Sequence, residues 1–185
     1  MAEYYLISQL PSLDGISDNM PLPITEERFS ELCNQLLGKK TLEEMKRITL
    51  LPERESENCG SDFIDNWLDS ERRLRLALAK VRAQRLNKSF DTGNTLIPLH
   101  YQKAAEAAMQ SKDPLEAEKL LCSYRLELLE AQRPMDGFSV DYVFYYGIKL
   151  KLISRLRGFD TEAGEAAYKN IYNSVLMADS LEVAK

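Results

Sequence analysis

Glu71, Arg75, Arg82 and Arg85 fall on or beside the apolar face of one long helical stretch, where an ordinary amphipathic helix carries no charge. Phe63, Ile64, Trp67, Leu74, Leu78 and Val81 recur at the spacing that gathers side chains on one side of a 3.6-residue turn, so these charges interrupt or flank a core stripe. Glu71 precedes Arg75 by four residues, the favoured acid-before-base order for pairing along a helix, and Arg82 lies further down the same flank. Such a row serves either as structural ion pairing at the edge of a core or as a charged assembly surface.

Other residues able to do chemistry are few. His100 is the sole histidine, so multi-imidazole metal sites and Ser–His or Cys–His catalysis would all rest on it. Its position near a helix start suits a surface histidine. Gly38-Lys39-Lys40-Thr41 resembles the end of a phosphate-binding loop, but Cys33 stands where the first glycine is required and Lys40 intervenes before the hydroxyl residue. A helix stop followed by a helix cap accounts for the same four residues. Glu116, Glu118, Glu127 and Glu130 share one helix without the Glu-x-x-His partners of a di-metal bundle. Arg72, Arg73, Arg75, Lys80, Arg82, Arg85 and Lys88 point in many directions with no aromatic ladder beside them, which is poor design for nucleic acid. The expectation is a non-enzyme with no catalytic residue, cofactor or metal.

The 185 residues are 44% hydrophobic and 29% charged, enough for one domain with its own core. A formal charge of −5 gives no general attraction for nucleic acid or an anionic membrane. Met1-Ala2-Glu3 begins no secretory signal, and the longest apolar run, Tyr142 to Ile148, is too short to span a bilayer, so a cytoplasmic location is expected. Cys33, Cys59 and Cys122 are odd in number and far apart, as for free or buried thiols in a reducing compartment.

The elements that must position these residues are helical, within a single domain spanning 1–185. Residues 4–10 fit a strand or a helical turn, and their period does not separate the two. Pro11, Gly15, Pro21 and Pro23 mark 11–24 as an irregular connector. Thr25 caps a helix striped by Phe29, Leu32, Cys33, Leu36 and Leu37 and ended by Gly38. Thr41 with Glu44 forms a capping box for a shorter helix stopped at Pro52. A polar loop over 53–60 leads into the long helix of about 62–87, broken by Asp91-Thr92-Gly93-Asn94. An alanine-rich helix follows from Pro98 to Met109, and Asp113-Pro114-Leu115-Glu116 starts the next, which carries two apolar stripes. Ser139 to Leu156 is apolar almost all round and should be central or covered by a partner. A last helix is expected over about 161–182.

Four segments in order carry a resemblance. They are Tyr4-Tyr5-Leu6-Ile7-Ser8-Gln9-Leu10-Pro11, Glu71-x-x-Leu74-Arg75-x-x-Leu78-x-x-x-Arg82, Asp113-Pro114-Leu115-Glu116-Ala117-Glu118, and Lys149 to Arg155 running into Phe159-Asp160-Thr161-Glu162-Ala163-Gly164. Together they resemble an uncharacterised bacterial family found with V-type ATPase subunits and regarded as similar to the C-subunit of V-type ATP synthases. The resemblance implies an all-helical, non-catalytic subunit or assembly factor coupling the central stalk to the membrane ring in proton or other ion transport. It would meet the membrane only through partners. A free-standing helical adaptor for protein–protein interaction is the alternative.

Overall fold

The computed structural model describes residues 2–16, 21–51, 60–93, 95–159 and 164–173. Its helices are α1 (Ala2–Gln9), α2 (Glu26–Leu36), α3 (Lys39–Lys46), α4 (Asp62–Arg85), α5 (Leu99–Gln110), α6 (Pro114–Ala131), α7 (Val140–Arg157) and α8 (164–173). No strand occurs among the described residues, so the all-α expectation holds and the possible N-terminal strand is replaced by α1.

Local chemistry sets the starts of α2, α4, α6 and α7. The Thr25 hydroxyl accepts from the Arg28 backbone N–H at 3.2 Å, Ser139 from Tyr142 at 3.2 Å, and Asp113 from Leu115 at 2.9 Å with Pro114 in the first turn. Ser61 caps α4 by accepting from Ile64 and also donates to Asp141 in the first turn of α7, so two helix starts are tied by one hydroxyl. Two boundaries depart from expectation. α3 begins at Lys39 with Gly38 as its N-cap, which places Thr41 inside the helix rather than at its cap. α4 ends at Arg85 because Asn87 turns left-handed at φ 53°, ahead of the expected break at Asp91. The loop expected over 53–60 and the ends of the last helix fall largely outside the described residues.

Three apolar clusters form the core, and three helices join them, α6 setting Leu129 in the first and Leu121 in the third. The first half of α4 sets Phe63, Ile64, Trp67 and Leu68 against Phe144, Tyr145, Ile148 and Leu152 of α7. The opposite side of α7 sets Val143, Tyr146 and Leu150 against Phe29, Leu32 and Cys33 of α2, Leu6 of α1, and Leu13 and Ile24 from the connector. The second half of α4 sets Leu74, Ala77 and Leu78 against Tyr101, Ala105 and Ala108 of α5 and Leu121 of α6. Alanines at 105 and 108 let the α4 and α5 backbones approach, and α5 in turn packs on α6. Residues 143–150 of α7 are buried without a break, as its all-round apolar character demands. No helix among the described residues is long and apolar enough to cross a membrane.

Candidate functional site

α4 carries Glu71 into the interior, where 2% of it remains exposed. A carboxylate cannot remain charged there without partners, and α6 supplies the strongest one. Arg125 donates from Nε to Glu71 Oε2 at 2.8 Å and from Nη2 to Oε1 at 2.9 Å, a two-pronged pair between side chains 54 residues apart. Burial works against the charge on Arg125, and the Glu71 hydrogen bonds and charge more than offset it, holding the guanidinium above its ordinary value. Arg75 reaches the same carboxylate from the solvent side, Nε to Oε1 at 3.1 Å, and its Nη2 donates to the Leu50 carbonyl at 3.0 Å.

The charges continue across the fold. Arg125 Nη1 lies 3.8 Å from Glu118 Oε1, which accepts from Arg155 Nε at 2.9 Å and pairs with Arg155 Nη2 at 2.8 Å. The series Arg75, Glu71, Arg125, Glu118, Arg155 therefore alternates in sign from α4 over α6 to α7. All of these but Glu71 line a cleft of about 290 Å³ whose walls also include Leu50, Leu51, Leu78, Leu121 and Leu152. Arg82 stands in that wall, exposed and in no ion pair among the described residues. Arg85 is exposed and lies outside the cleft. The four charges expected to act as a row are thus divided: Glu71 buried, Arg75 at the rim of the network, Arg82 facing the cleft, Arg85 apart.

Arg125 was not singled out from the sequence, although the signal was there. Leu121, Cys122, Arg125 and Leu129 fall on one side of α6 at helical spacing, so a guanidinium interrupts a buried stripe. Lys149 is the second such residue. Buried on α7, it donates to Asp14 of the connector, Glu130 of α6 and the Tyr145 hydroxyl, while Tyr145 donates to Glu130 at 2.6 Å. Burial disfavours its charge, yet the bonds to Asp14, Glu130 and Tyr145 raise its pKa above the usual lysine value. This lysine stays an ammonium and acts as a clamp between the connector and two helices.

The remaining candidates stand apart. His100 is exposed at the start of α5 with its ring 4.3 Å from that of Tyr101. Lys39 and Lys40 are in α3, where Lys40 lies 3.8 Å from Glu44, so no phosphate loop forms. Glu116 accepts from Ser111 at 3.3 Å, Glu118 and Glu130 belong to the two networks, and Glu127 is exposed. Arg73 pairs with Asp69 at 2.7 Å. Burial pushes the Cys33 thiol up to about 12 and raises Cys122 as well, which keeps both protonated and inert. No group of three or more metal-ligating side chains occurs among the described residues.

Several aromatic side chains lie outside the core. Tyr4 of α1 stacks on Phe138 of the α6–α7 loop with ring centroids 4.5 Å apart, and both are more than half exposed, as is Tyr5 beside them in sequence. Met135 on the same loop is fully exposed. On α8, Tyr168 and Tyr172 stack at 6.1 Å and are likewise exposed.

A family described as "Protein of unknown function (DUF2764)" matches residues 88–178, just under half of the chain. That stretch includes Arg125, Lys149 and Arg155 but stops short of Glu71, Arg75 and Arg82. No curated protein and no solved structure matches the chain.

Proposed function

We propose that this chain is a non-catalytic component or assembly factor of a V-type rotary ATPase, similar to its C-subunit, binding other subunits between the central stalk and the membrane ring. The observation that carries a binding role is the uncovered aromatic surface at Tyr4, Tyr5 and Phe138 with the bare thioether of Met135. Tyrosine, phenylalanine and methionine are enriched in protein interfaces, and a small helical protein gains nothing by leaving them in water. The V-type assignment rests on the sequence resemblance of the four ordered segments. In this role the chain would reach the membrane only through its partners, and hydrolysis would belong to other subunits.

Purification of the tagged full-length protein from its native cells tests the proposal. Stalk and membrane-ring subunits should accompany it, and the double variant Tyr4→Ala, Phe138→Ala should lose them while melting like the parent. Because aromatic anchors carry about 2 kcal/mol or more of binding energy, the loss should be complete under ordinary washing. A partner set unrelated to a rotary ATPase would leave the adaptor reading instead. Recovery of the chain alone would end both.

A further inference from the structure

We infer that the cleft bounded by Arg75, Arg82, Arg125 and Arg155 is a binding site for a small multivalent oxyanion with a short apolar body. Four guanidinium groups meet there against two carboxylates, Glu71 behind the wall and Glu118 within it, leaving an excess of two positive charges. Glu71 is committed through both of its oxygens and Glu118 through Oε1. Glu71 Oε1 accepts from both Arg75 and Arg125, and Glu118 Oε1 meets the Nε and Nη2 of Arg155. What remains over is Arg82, with no acceptor among the described residues, and the further N–H groups of Arg75 and Arg155, each of which uses only its Nε and Nη2 in the bonds described.

The network also fixes the geometry. Arg75 is tied to Glu71 and the Leu50 carbonyl, and Arg155 to Glu118, so their planar forks are oriented before any ligand arrives. Planar guanidinium groups suit carboxylate and phosphoryl oxygens alike. The leucines at 50, 51, 78, 121 and 152 supply apolar wall between the charges, and a volume of about 290 Å³ is at the small end of the ligand-pocket range. A lone chloride would leave that apolar wall without contact. This site is separate from the Tyr4–Phe138 surface, and its test does not depend on the identity of any protein partner.

Titration calorimetry on the full-length protein, with pyrophosphate and citrate as probes at matched ionic strength, separates phosphoryl from carboxylate chemistry. At least one probe should bind with one-to-one stoichiometry. Arg82→Ala should weaken that binding about tenfold or more, the value of a lost charge-assisted bond, without lowering the melting temperature, because Arg82 has no partner among the described residues to lose. Arg155→Ala should weaken it as well. Lys88→Ala, an exposed cation past the end of α4, should change affinity by less than about twofold. Binding of neither probe would overturn the inference, and so would an equal loss for Lys88→Ala and Arg82→Ala, which marks non-specific screening.

Discussion

Glu71 and Arg125 illustrate why a buried ion pair is costly to break and yet weak evidence of stability. Desolvating two charges costs several kcal/mol, and their mutual attraction with good geometry roughly returns it. Arg125→Ala should therefore destabilise the fold by about 3–5 kcal/mol, because it leaves Glu71 charged and buried with Arg75 alone. Arg75→Ala removes a half-exposed partner from a carboxylate that keeps Arg125, and should cost about 1 kcal/mol or less. Replacing both members of the buried pair, Glu71→Met with Arg125→Leu, should cost clearly less than the sum of the single losses. Urea unfolding of these three variants, with Glu71→Met and Arg125→Leu each alone, measures all of this, and equal losses for Arg75→Ala and Arg125→Ala would contradict the asymmetry.

The Lys149 clamp makes a pH prediction at the same scale. Hydrogen bonding from Lys149 lowers Asp14 below its ordinary 3.8, and although burial pushes Glu130 up, its bonds from Lys149 and Tyr145 bring it below 4.5. Groups depressed by folding contribute stability above their ordinary values and lose it as pH falls through the lowered ones. Lys149 is raised instead, so its contribution is complete below the ordinary lysine value of 10.5 and is lost only as pH rises beyond it. Melting temperature should thus be level through neutral pH and fall in acid below about pH 4.5. Lys149→Met, having removed the cation that depresses both carboxylates, should show a shallower acid limb.

At the scale of the element, α7 is decided by a close approach. A Cβ on Gly147 would lie 3.0 Å from Phe29 Cε1, so glycine is what lets α2 and α7 meet. Gly147→Val should destabilise by about 1–3 kcal/mol through overpacking. Gly147→Ala should cost much less, since a helix-propensity gain of about 1 kcal/mol offsets the displacement and Phe29 borders a groove of about 440 Å³ into which it can yield. Denaturant midpoints decide between these expectations; a stabilising valine would show that the helices are not in register as described.

Elements with a polar cap residue were legible because the cap is a local hydrogen bond, and Thr25, Asp113 and Ser139 bond as their types predict. Elements set by tertiary contact were not. α1 is helical because Leu6 and its neighbours pack on α2 and α7, which no local period reveals in seven residues. Thr41 and Glu44 match a capping box, yet the N-cap lies three residues earlier, at Gly38, which is extended at φ −69° and ψ 156°. The site was half legible for the same reason. Glu71 and Arg75 announce their pairing within one helix, whereas Arg125 and Arg155 join them only through the packing of α4, α6 and α7.

Whole-molecule behaviour follows from how few helices hold the three clusters. α4 contributes to the first and third, as α6 does through Leu129 and Leu121, α7 contributes to the first and second, and α4 and α7 also touch each other. Losing either one exposes the interior of two clusters at once, and each large apolar side chain left in water costs about 1.5–3 kcal/mol. Partial unfolding that spares one cluster is therefore much less favourable than full unfolding, and equilibrium denaturation should be a single transition. Trp67, the only tryptophan, is buried where α4 meets α7 and reports the first cluster, while far-ultraviolet circular dichroism averages over every helix. The two signals should trace one curve with one midpoint in urea. If Trp67 fluorescence changed at a clearly lower urea concentration than ellipticity, α5 and α6 with the end of α4 would be a separately stable unit, and the staple made by α4 and α7 would not govern the cooperativity of this fold.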